Sequence, residues 1–157
     1  MKNRVFVRRG LRRSVALLML AAVALPVLAQ EEDPALYAVG ALGASNLYSS
    51  YVVLATVADG YASASYSENT ARDLAEESIA LHESSVDALR RLVDQNVVSA
   101  SDRAIVADMI EAHELLIRQA EGLMAYLDDP DDFEAFQRYR EAAWEKISTI
   151  LEESPPE

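Results

Sequence analysis

The 157-residue chain contains no cysteine. That excludes a disulfide framework, a thiolate nucleophile, a thiolate metal site and covalently attached haem, which needs two thiols beside a histidine. A lipid-modified cysteine at an export cleavage site is excluded for the same reason. Histidine occurs twice, at His82 and His113, and tryptophan once. A carboxylate-bridged di-iron bundle needs Glu-x-x-His on two helices. Neither histidine has it, because Ile79 and Ile110 stand three residues before them. Nucleophile-elbow, phosphate-loop and zinc-protease motifs are also missing. The serines of the first helical segment do not replace them, since mid-helix serines have no free backbone N–H for an oxyanion hole. These absences predict a protein that is not an enzyme and carries no cofactor.

Basic residues are scarce and badly distributed. Six of the 14 stand in the first 13 residues, ahead of a mostly apolar run from Ser14 to Leu25 and small residues at Val27 and Ala29. That order is a Sec-type secretory signal peptide over residues 1–29, with cleavage after Ala29 and a periplasmic or secreted destination. The same run kept as a membrane anchor is the alternative, although it is short for a span. Residues 30–157 then carry eight Lys and Arg against 26 Asp and Glu, a formal charge of −18. A surface of that sign repels nucleic acid and anionic lipid, so neither nucleic-acid binding nor stable membrane insertion after cleavage is expected.

Charge is absent from one stretch altogether. Pro34 to Ala58 holds 25 residues without an ionic side chain, between Asp33 and Asp59-Gly60. Leu36, Gly40, Gly43, Leu47, Ser50, Leu54, Val57 and Tyr61 recur at steps of four and three, which is one face of a helix. Asp33 as N-cap, Pro34 at the first position and Gly60 as the stop complete it. If Leu36 and Gly40 point inward, the outward face takes Tyr37, Leu42, Ser45, Ser49, Tyr51, Val52 and Thr56, with Ala38 and Ala44 among them. Loss of charge is the usual mark of an interface core, so this face predicts a homodimer or an exported protein partner, with Tyr51 and Val52 near its centre.

Three amphipathic helices follow. Ser67 caps the first, over about 68–97, unless Thr70 and Asp73 form a capping box one turn later. Ser99 and Asp102 open the second, which runs to about Leu127. Asp129 as N-cap and Pro130 at the first position open the third, ending near Glu153 ahead of a frayed tail from Ser154. That capping also accounts for the acidic run Asp128–Asp132, which lacks the glycine and ligand spacing of a calcium loop. No segment alternates like a strand. Four helices on short connections predict an all-α, antiparallel up-down-up-down four-helix bundle over residues 30–157. Two long hairpins that complete a bundle on dimerisation are the second arrangement. In outline the bundle resembles the periplasmic sensor domains of bacterial chemoreceptors and the cytochrome-type bundles, but no motif of either is present and no family is assigned.

Both histidines fall on inward stripes. Pairing the second and third helices about residue 99 sets Ser85 opposite His113, and pairing the first two sets Leu47 and Asn46 near His82. Asn46, Ser50, Ser78, His82, Ser85 and His113 are therefore a candidate polar layer in mid-bundle. Such a layer either binds a small molecule, metal or haem or fixes helix register as buried polar residues do in coiled coils.

Overall fold

The computed structural model describes residues 34–100 and 102–153. The predicted signal peptide, its cleavage point, the Asp33 cap and the tail from Ser154 lie outside the described residues. Those residues are all-helical, with four helices: α1 Pro34–Ala62, α2 Glu68–Asp94, α3 Asp102–Asp128 and α4 Phe133–Glu153.

The helix ends show where local chemistry prevailed over simple sequence signals. α1 runs two residues past Gly60, over which the Tyr66 ring lies so closely that a Cβ there would meet it at 2.5 Å. The chain turns instead at Ala64, with φ of 56°, where Ala64 N–H donates to the Tyr61 carbonyl and Ser65 N–H to that of Gly60. α2 stops at Asp94, three residues before the predicted end, in the same pattern. Asn96 takes the left-handed position (φ 54°), its N–H donating to Val93 and that of Val97 to Leu92. Both are Schellman closures, which satisfy carbonyls the helix leaves free.

Ser67 caps α2 by accepting from Thr70 N–H at 3.2 Å, and Ser99 accepts from Asp102 N–H at the start of α3. The predicted start of the last helix is corrected. Asp129 folds back on its own backbone, its side chain accepting from Asp131 N–H and its carbonyl from Asp132 N–H. Residues 129–132 are therefore a turn, as aspartate followed by proline favours, and the helix begins at Phe133.

Packing is uneven. α3 lies along both α2 and α4, while α1 rests more lightly against all three. Arg72 reaches Asp128 at 2.6 Å and Arg90 reaches Glu114 at 2.6 Å, so α2 runs antiparallel to α3. Lys146 sits between Asp108 and Glu111 at 3.1 and 2.6 Å, and Gly122 lies against Phe136, so α4 is antiparallel to α3 as well. These part-exposed pairs set register and add little stability. α3 and α4 meet backbone to backbone at Gly122, where a Cβ would stand 2.8 Å from the backbone nitrogen of Phe136. The core is filled by Leu47, Leu54, Leu116, Leu123, Phe136, Ile147 and Ile150.

Candidate functional site

His82 on α2 and His113 on α3 are buried and meet directly, Nδ1 to Nδ1, at 2.9 Å. That contact needs one N–H and one lone pair. His82 Nε2 is buried without a partner. An unpaired acceptor costs less there than an unpaired N–H, so His82 is assigned the donating Nδ1–H and His113 the accepting lone pair. No carboxylate forms an ion pair with either ring among the described residues, and the surrounding acids Glu83 and Glu114 point outward. Burial holds both imidazoles at a pKa of about 4, and for His82 the neighbouring His113 adds to the effect.

The other candidates of the polar layer do not join this pair. Asn46 is exposed on α1, Ser50 and Ser78 are half-buried, and Ser85 donates to the Leu81 carbonyl on its own helix. Gln119, which the sequence reading passed over, is fully buried with neither amide atom partnered. Its position was legible: it lies three residues after Leu116 and four before Leu123, on the same stripe as His113. No group of three or more His, Asp or Glu side chains placed to hold a metal ion occurs among the described residues.

The second candidate is the outer face of α1. Its only ionic residue is Asp59. The stretch Tyr37–Ala62 is long and apolar enough by composition to cross a membrane, yet only 17% of its most apolar window is buried. Leu42 is 73% exposed and Val53 52%, with Tyr37, Val39, Tyr48 and Val52 each more than two-fifths exposed. Along the outermost line run Ala38, Ser45, Ser49 and Thr56, all exposed. Two of their hydroxyls are spent on the helix itself: Ser49 donates to the Ser45 carbonyl and Thr56 to that of Val52, both at 2.8 Å.

Two positions expected on this face turn the other way. Ala44 is buried, and Tyr51 is half-buried against Trp144 of α4 with ring centroids 5.3 Å apart. Both stand beside the Leu47–Leu54–Ala58 line, which faces the core, and nearer to it than to the Ser45–Ser49 line. Gly40 touches no neighbour within 4 Å of where a Cβ would stand.

Comparison with family models, with curated proteins and with solved structures finds no match to this chain.

Proposed function

We propose that this is an exported, non-catalytic protein, an up-down-up-down four-helix bundle behind a signal peptide, that works by binding another protein chain through the outer face of α1. The observation that carries the reading is the exposure of that face. Its six large apolar side chains leave on the order of 600 Å² in contact with water, the upper end of what a monomer shows as its largest patch. A soluble surface that places acids on every other helix has no reason of solubility to leave this one neutral.

A photo-activated cross-linking residue at Leu42, compared in the producing cells with the same residue at exposed Glu76 on α2, tests the reading. Protein adducts from position 42 and not from position 76 support it. Lipid adducts alone, or none, overturn it.

A further inference from the structure

Resting on that reading, we propose that the partner is a second copy of this chain, its α1 crossing antiparallel so that Ser45 and Ser49 meet Ser49 and Ser45 at closest approach. Three features of the face select this occupant.

The first is the distribution of size. A face built for lipid places its largest apolar groups outermost. Here the outermost line is Ala38, Ser45, Ser49 and Thr56, and the large groups Leu42, Val53 and Tyr48 stand to either side. Small residues on the line of contact let two backbones approach closely, and larger ones fill the space as the helices diverge. The hydroxyls of Ser49 and Thr56 are already bonded within the helix, so a close partner leaves neither unsatisfied.

The second is self-complementarity. A two-fold axis through the middle of the face pairs the exposed positions nearest it with one another, as an isologous contact requires. Ala38 then meets Thr56, and Leu42 meets Val52. Ala41 meets Val53, small against large.

The third is charge. Two chains of formal charge −18 over residues 30–157 repel wherever acids face each other, and the outer face of α1 is where two copies approach without that cost. Asp59, the single ionic residue of α1, falls opposite the first turn of the copy's α1 in this register.

Sedimentation velocity of the full chain, as secreted by its producing cells, reads the oligomer. The wild type is expected at twice the chain mass. Leu42→Glu combined with Val52→Glu is expected at one chain mass, with helical circular dichroism unchanged. Register is read separately, using the absence of native cysteine. A mixture of Ser45→Cys and Ser49→Cys chains should form the mixed disulfide at least several-fold faster than either chain forms its own.

A monomeric wild type overturns the dimer. A double mutant that stays dimeric places the interface elsewhere and overturns this face, and equal cross-linking rates overturn the antiparallel register. If the monomeric wild type still gives position-42 adducts to a different protein in cells, the interaction reading stands and the second copy alone is lost. If instead it floats with neutral phosphatidylcholine vesicles through Leu42, both are lost.

Discussion

A buried histidine pair that meets no carboxylate among the described residues makes a specific demand on pH. Both rings titrate near 4 in the folded chain and near 6.5 when unfolded, so between those values the unfolded chain binds more protons. The contribution of the pair is therefore complete above about pH 6.5, falls as pH drops toward 4 and levels below it. Two and a half units correspond to about 3 kcal/mol for one ring, and coupling keeps the pair below twice that. Denaturant melts from pH 7.5 to 4 measure the slope, and His82→Leu with His113→Leu should flatten it. The two changes should also be non-additive. His113→Leu alone strands His82 with two unpaired nitrogens and costs about 1–3 kcal/mol more than the double replacement implies. Gln119→Met should raise stability by on the order of 1 kcal/mol, since it removes two buried unpartnered polar atoms at nearly constant shape. The inward position of both histidines was legible from spacing alone. Their direct contact was not, because one helical turn of slip along α2 decides whether His82 or Ser85 stands opposite His113.

At the scale of the helix, the four segments could be read from periodicity because three of them alternate wet and dry faces sharply. Their ends were less legible. The left-handed closures at Ala64 and Asn96 use residues other than glycine, and Asp129 prefers its own turn to a cap. α1 was the hardest to orient, since a helix without charge has no polar face to mark its wet side. Ala44 and Tyr51 were misplaced for that reason. Glycine separates the loosely held helix from the tightly held ones. Gly40→Ala in α1 should stabilise by about 0.5–1 kcal/mol, because the added methyl meets nothing and the backbone loses freedom only in the unfolded chain. Gly122→Ala in α3 should destabilise by about 1–3 kcal/mol despite alanine's better helix propensity, because its methyl meets the α4 backbone, which has no rotamer to yield. Thermal melts of the two variants should shift in opposite directions.

For the whole molecule, charge and apolar exposure are segregated: acids cover α2, α3 and α4, and α1 shows a neutral face. Lowering the pH from 6 toward the carboxylate range relieves repulsion among the acids while it weakens the histidine pair. Light scattering should therefore rise over the range in which the melts show stability falling. Whether the outer face of α1 is covered in the working protein is read directly by hydroxyl-radical footprinting of the purified chain at nanomolar dilution beside the chain in its producing cells. Leu42, Tyr48 and Val53 should be oxidised readily in the dilute sample and protected severalfold in cells, while Leu81 on the exposed side of α2 should be oxidised equally in both. Equal oxidation of the α1 residues in the two samples would contradict coverage of that face.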